Sequence, residues 1–301
     1  MKLVFFNDYR LGVLKKEEDR VVDMTLALEE IPRVGPGDYM CRLIERWNGF
    51  KVRLERNAID LPGIPLSDVQ LRAPIPKPGK ILCMAANYLE NGYLTEPRPI
   101  NGFLKNPSGV IGDGDTIHLP AAEATIFHHE AELGLVIGRK ARNISEDEAY
   151  SYVFGYVNFI DVSARGLGPQ GADTFLQGKS YHYFAPMGPY LVTADEVPDP
   201  QDVKVQLWVN DELHQDYSTS DMGHSIPKTI AWLSTIVTLN PGDVIALGTN
   251  HQGLGALQDG DKVERESPGL GRLTNYVSDP RKREWPRGID QEMADRVAGR
   301  I

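Results

Sequence analysis

The chain has 301 residues, with 32 Lys+Arg against 42 Asp+Glu, a net charge of −10, 41% hydrophobic residues and 25% charged residues. This is enough apolar material for one large or two modest packed domains. The acidic balance argues against a nucleic-acid or membrane-surface partner, which would need clustered Lys and Arg, yet leaves room for a pocket that takes a small anionic substrate. No apolar run of about eighteen residues suggests a transmembrane helix, and no signal-peptide pattern opens the chain. Two widely separated cysteines, Cys41 and Cys83, fit a reducing, cytoplasmic setting and offer no zinc-type cluster.

The opening reads as a small β-rich unit. LVFF and LGVL pair around Asn7-Asp8, and RVVDM is a third strand. Thr25 to Trp47 is helical in part, interrupted by Pro32 and by Pro36-Gly37. The prolines Pro74, Pro76 and Pro78 make an extended connector, and KILCM then enters a strand. IGDGDTIHLP, LNPGDVIALG and LQDGDKVERE each place Gly-Asp between strand-like runs, as tight turns require. No Gly-rich loop joins a strand to a helix as nucleotide-binding folds need, so a β-rich fold is expected. Ser145 and Glu148 form a capping box that predicts a helix to about Phe154. SIPKTIAWLSTIVTL predicts another helix, with Pro227 in its first turn. After Tyr276 comes a charged tail with a short helix from Asp290 to Val297, read as a surface extension or a subunit contact.

The segment HHEAELGLVIGR is the most informative. On a strand, Glu130 and Glu132 point to one face and Ala131, Leu133, Leu135 and Ile137 to the other. The carboxylate face continues through Gly134, Val136 and Gly138, small residues that suit a cavity lining. His129 falls on the core face, and His128 shares the carboxylate face and borders the site. Two adjacent carboxylates repel unless a cation lies between them, and hard cations take such oxygens. Taken alone, an E-x-E pair fits a solvated strand face equally well. Asp161 ends the apolar strand of FGYVNFIDVSARG, and Lys179 lies between Gly178 and Ser180.

Together FLKNPSGVIGDGDTIHLP, HHEAELGLVIG, GYVNFIDVSARG, GKSYHYFAPMGP and GDVIALGT, in this order, resemble the fumarylacetoacetate hydrolase superfamily. The resemblance spans about Met1 to Val277. It implies an α+β, β-rich fold with a small N-terminal α/β domain (1–74) and a mixed β-roll catalytic domain (75–278). A charged extension (279–301) follows. It also implies a homodimer and a divalent-metal-dependent enzyme, using Mg2+ or Mn2+, acting on 2-oxo acids and β-dicarbonyl compounds. Glu130, Glu132 and Asp161 fall at the metal-ligand positions and Lys179 at that of a supporting lysine. Arg165 and Thr249 fall at substrate-contacting positions, and Lys105, Ser108 and Tyr88 in segments that line the pocket. Three carboxylates and a divalent cation leave about one negative charge, which Lys179 can neutralise.

Many hydrolases of the family read N-Y-x-x-H-x-x-E, where the His and Glu activate water. Here Asn87 and Tyr88 match, but Asn91 and Leu94 replace the His and the Glu. Asn carries no basic nitrogen. The base is then Glu90, Glu96 or His251 of GTNHQGLG, or the reaction needs none. The expectation is hydrolysis of a C–C bond in an acylpyruvate. Isomerisation, decarboxylation, dehydration or an inactive metabolite-binding homologue are the alternatives.

Overall fold

The computed structural model describes residues 1–15, 19–168 and 175–301. Among these, the backbone of the fold is a mixed twelve-stranded sheet. Its centre is strand Ala131–Ile137, which pairs antiparallel with Val153–Ile160 on one side and with Val244–Ala246 on the other. Val244–Ala246 lies parallel to Ile81–Met84, and Gly102–Lys105 closes that edge. On the far side Val153–Ile160 pairs with Ala185–Thr193, which pairs with Lys2–Phe6. The strands Lys2–Phe6, Arg10–Lys15 and Arg20–Asp23 form the expected meander around Asn7-Asp8.

LVFF is apolar without alternation because both of its faces are buried. Leu3 and Phe5 join a core with Met40, Leu43, Phe50 and Leu54 of helices Pro36–Glu45 and Trp47–Asp60. Val4 and Phe6 join the other core, on the side of a five-stranded sheet that contributes Leu207, Val263 and Leu273. Leu133, Leu135 and Ile137 point into that same core, as their alternation predicts.

The three Gly-Asp turns share one device. Gly114, Gly242 and Gly260 all have φ near +80°, which L-residues rarely adopt. In each case the following Asp accepts the N–H three residues earlier: Asp115 from Gly112, Asp243 from Asn240 and Asp261 from Gln258, at 2.7–2.8 Å.

Some elements differ from expectation. Ser145 does meet Glu148, through its N–H at 3.3 Å and its hydroxyl at 2.9 Å. However, the chain makes only a turn and a short 3-10 segment, Ala149–Tyr152, before strand Val153–Ile160 begins. The demand of VFGYVNFI for a place beside Ala131–Ile137 overrides the capping signal. Pro36 starts a helix rather than interrupting one, since its missing N–H costs nothing in the first turn. Helix Ile226–Ile236 is capped by Ser225, with Pro227 in its first turn. Helix Gln291–Val297 is capped by Asp290, which accepts from the Met293 N–H at 3.0 Å.

Candidate active site

The carboxylates meet at the end of the central strand pair. The Asp161 N–H donates to the Glu130 carbonyl at 2.9 Å, which fixes Asp161 beside the strand that carries Glu132. Glu130, Glu132 and Asp161 are all buried, and each offers an oxygen within 4.8 Å of the others. The carboxylate face is not open along its length. Gly134 and Val136 are buried, and Val136 packs in the core beneath the helices. A Cβ on Gly134 would meet Val157 Cγ1 at 2.9 Å. The small residue there therefore serves strand packing, and of the strand's two carboxylates only Glu130 reaches the cavity wall.

Cations surround the cluster. Lys179 Nζ lies 2.6 Å from Glu130 Oε2 and 2.7 Å from Asp161 Oδ2. Lys105 Nζ lies 2.5 Å from Asp161 Oδ1, and Arg165 pairs with Glu130. Burial alone would raise the Glu130 carboxyl, but Lys179 and Arg165 outweigh it and hold the group well below the carboxylate range. Glu132 is the exception. Burial, then Asp161 and Glu130, push its carboxyl well up, and the Gly248 N–H donates to it at 2.8 Å. An all-oxygen set in which one carboxyl is forced toward neutrality by its neighbours fits a hard divalent cation, which would relieve that repulsion.

A cavity of about 1100 Å3 opens from Glu130 and Lys179. Thr249, Arg165 and His251 line it, and Phe103 stacks on Phe175 with ring centroids 4.4 Å apart. Glu90 and His251, weighed separately in the sequence, meet here. His251 Nδ1 lies 2.7 Å from Glu90 Oε1, and the His251 N–H donates to Oε2 at 2.8 Å. Gln252 Nε2 adds a third donor at 3.0 Å. Glu90 is fully buried and adopts φ +59°. With the Glu90 carboxylate accepting from Nδ1, a neutral imidazole here has its lone pair on Nε2.

Other sequence candidates fall elsewhere. Glu96 is exposed, and Asn91 is exposed with its side chain bonded to Asn250. Tyr88 is buried against Tyr217, away from the cavity wall. Lys105 sits behind Asp161 rather than on the wall. Ser108 is exposed on a 3-10 turn, its N–H capped by Asn106. His129 is on the core face as expected, bonded to Gln215 and His214, and burial and His214 push its pKa down to about 3.

The tail lies against its own chain. Asp290 Oδ2 is 2.9 Å from His128 Nε2, and Arg165 Nε donates to His128 Nδ1 at 3.3 Å. Burial and Arg165 lower the His128 pKa to about 4, so this imidazole is neutral at pH 7 and transmits order rather than charge. Helix Gln291–Val297 forms one wall of the cavity through Met293, Arg296 and Val297. Nothing in the sequence marked this role beyond the capping Asp290.

A family model described as the fumarylacetoacetate (FAA) hydrolase C-terminal domain matches residues 80–278. The chain belongs to this family. It is 34% identical to a maleylpyruvate hydrolase of Aquipseudomonas alcaligenes over 91% of this chain and 98% of that one. It is 39% identical to the oxaloacetate tautomerase YisK of Bacillus subtilis, over 70% of this chain and 74% of that one. Among solved structures, a maleylpyruvate hydrolase from Sphingobium sp. SYK-6 in complex with manganese (II) ion and pyruvate superposes with a TM-score of 0.83. That protein is 35% identical, with 93% of this chain and 99% of that chain covered.

Proposed function

We propose that this protein is a divalent-metal-dependent hydrolase that cleaves the C–C bond of an acylpyruvate. The observation that carries this reading is the Glu90–His251 pair, whose imidazole lines the cavity that opens from Glu130. It supplies a base in place of the one that Asn91 and Leu94 lack, positioned to activate water. The maleylpyruvate hydrolase relatives support it as well.

Glu130, Glu132 and Asp161 would hold Mg2+ or Mn2+, which would polarise the 2-oxo acid group of the substrate. His251 Nε2 takes a proton from water as the oxygen adds to the distal ketone, and Glu90 steadies the imidazolium that forms. The bond between the ketone carbon and the methylene then breaks, and its electron pair passes to the pyruvate enolate. Lys179 and Arg165 face that developing charge, and Thr249 lines the same wall. Protonation of the enolate carbon gives pyruvate, and the acyl half leaves as a carboxylic acid.

The family match at residues 80–278 supports a catalytic unit within 75–278, preceded by a small domain at 1–74 and followed by the extension at 279–301. The edge strand Gly102–Lys105, with Leu104 exposed, supports a homodimer. The unpaired Cys41 and Cys83 support a cytoplasmic setting.

The test is to strip the protein with EDTA, restore Mg2+ or Mn2+, and assay acylpyruvates for pyruvate release with a coupled lactate dehydrogenase. Metal-dependent pyruvate release is expected. Indifference to chelator, or oxaloacetate tautomerisation with no pyruvate released from any acylpyruvate, would overturn the reading.

A further inference from the structure

The chemistry at the cavity leaves two neighbouring features without a task. One is His128, fully buried just before Glu130, and the other is the C-terminal tail in the cavity wall. They touch each other. Asp290 stands at the start of the tail helix, and its Oδ2 is 2.9 Å from His128 Nε2. At the other edge of the ring, Arg165 Nε donates to His128 Nδ1 at 3.3 Å. Arg165 in turn pairs with Glu130 through Nη2 and lines the cavity. A single line of contacts therefore runs from the tail to the carboxylate cluster.

Donor chemistry gives this line its direction. A guanidinium N–H can only donate, so Nδ1 of His128 is the accepting nitrogen. Nε2 then carries the proton and donates to the Asp290 carboxylate, the one neutral tautomer that serves both neighbours. The ring has no exposed surface, so water does not compete with Asp290 for that proton. The backbone of His128 is held as well, by pairing with Ser163 and by a bridge to Ala256.

Asp290 is equally fixed. Its N–H donates to the Leu254 carbonyl at 2.7 Å, and its Oδ1 accepts from the Met293 N–H at 3.0 Å. Ile289 bridges to Gly255, where an added Cβ would meet the Gly288 carbonyl at 2.6 Å. The tail thus docks where a side chain would leave it no room. The two carboxylate oxygens of Asp290 have separate tasks, one on the helix and one on the ring.

We propose that Asp290 is a positioning residue that acts through His128 to orient the Arg165 guanidinium, which makes the tail a working part of the active site. Nε is tied to His128 and Nη2 to Glu130, and two ties fix the plane of the group. Among the described residues Nη1 meets no acceptor, which leaves it for charge that develops in the cavity. A guanidinium tied to Glu130 alone would pivot about that contact. The kinetic consequence rests on the acylpyruvate reading of the cavity, whereas the state of the ring does not.

Asp290→Asn separates the two tasks. Its remaining oxygen can still cap Met293, and its amide nitrogen, a donor, then faces the Nε2 proton. With Mn2+ bound and acetylpyruvate as substrate, kcat should fall by on the order of tenfold to a hundredfold. KM and Mn2+ affinity should stay nearly unchanged. Calorimetry should show a matching loss of affinity for oxalate, which mimics the charge of the enolate, and little loss for pyruvate. In an Arg165→Gln background, Asp290→Asn should cost nothing further, because its effect passes through Arg165. Nitrogen NMR of isotope-labelled histidines in the metal-free protein should show His128 protonated at Nε2 and not at Nδ1, a state that Asp290→Asn disturbs. An unchanged kcat in Asp290→Asn, an equal loss in the Arg165→Gln background, or a wild-type His128 protonated at Nδ1 would overturn the proposal. If no acylpyruvate is turned over, the acylpyruvate reading fails, and the oxalate affinities and nitrogen spectra decide the role of Asp290 on their own.

Discussion

The carboxylate cluster and the Glu90–His251 pair stand on opposite kinds of support. Glu132 lies on a strand in the middle of the large sheet, Glu130 directly precedes that strand and Asp161 directly follows its neighbour, and neighbouring backbone hydrogen bonds dictate their relative positions. Glu90 and His251 come from two loops and meet only through a 2.7 Å side-chain contact and the bonds around it. The carboxylate half of the site is thus set by the framework of the fold, while the Glu90–His251 half, the base of the proposed mechanism, can change without disturbing the sheet. That division explains how a chain can lack the usual His and Glu of the first loop and still assemble a comparable pair.

The comparison can be broken at its rigid end first. Glu132→Gln should abolish Mn2+ binding in calorimetry and cut turnover by roughly a thousandfold or more. It should not lower the thermal stability of the metal-free protein, because burial, Asp161 and Glu130 all disfavour the charged form of the Glu132 carboxyl there. Retained Mn2+ affinity would remove Glu132 from the metal site. At the loop end, His251→Ala should slow turnover by about 10²–10⁴-fold with Mn2+ affinity unchanged. Glu90→Gln should cost less. The double variant should be no slower than His251→Ala alone, because the two residues act as one unit. Additive losses in that cycle would show that they work separately.

The framework beneath the rigid end can be probed by pH. His129 is buried with its pKa lowered to about 3. The unfolded chain therefore binds a proton near pH 6.5 that the folded protein refuses. The stability from neutral His129 is fully present above pH 6.5 and is lost as pH falls toward 3, at up to about 1.4 kcal/mol per pH unit. Urea midpoints taken at pH 7 and pH 5 should show this slope, and His129→Gln should flatten it. An identical slope in the variant would mean that other groups carry the acid sensitivity. The smallest effect is expected at Ser108→Ala. It should leave kcat/KM unchanged and shift stability by less than about 0.5 kcal/mol, because Ser108 is exposed and the Asn106 side chain caps its backbone N–H and not its hydroxyl.

What could be read from sequence follows the same division. Strand alternation placed Glu130 and Glu132 on one face and His129 on the other, since a period of two leaves little choice once a strand is assigned. The Gly-Asp turns were equally readable, because each needs a positive φ and a short acceptor side chain. The helix expected from Ser145 failed because a local capping signal carries about 1 kcal/mol, less than the pairing of an eight-residue strand. Helix Trp47–Asp60 was missed because Val52 and Ile59 are exposed and blur its apolar stripe. The meeting of Glu90 with His251 and the bond of Asp290 to His128 join residues more than 150 positions apart, which no local pattern encodes.

The Glu90–His251 contact spans 161 positions in the chain. The parallel pairing of Val244–Ala246 with Ile81–Met84 already closes that span within the sheet, so the contact waits only on the ordering of the two short segments that leave those strands. Recovered turnover after dilution from denaturant should therefore lag behind recovered secondary structure. A partly folded chain could already hold its carboxylates together on the sheet and yet be catalytically silent, so that activity itself becomes a clock for the last stage of folding.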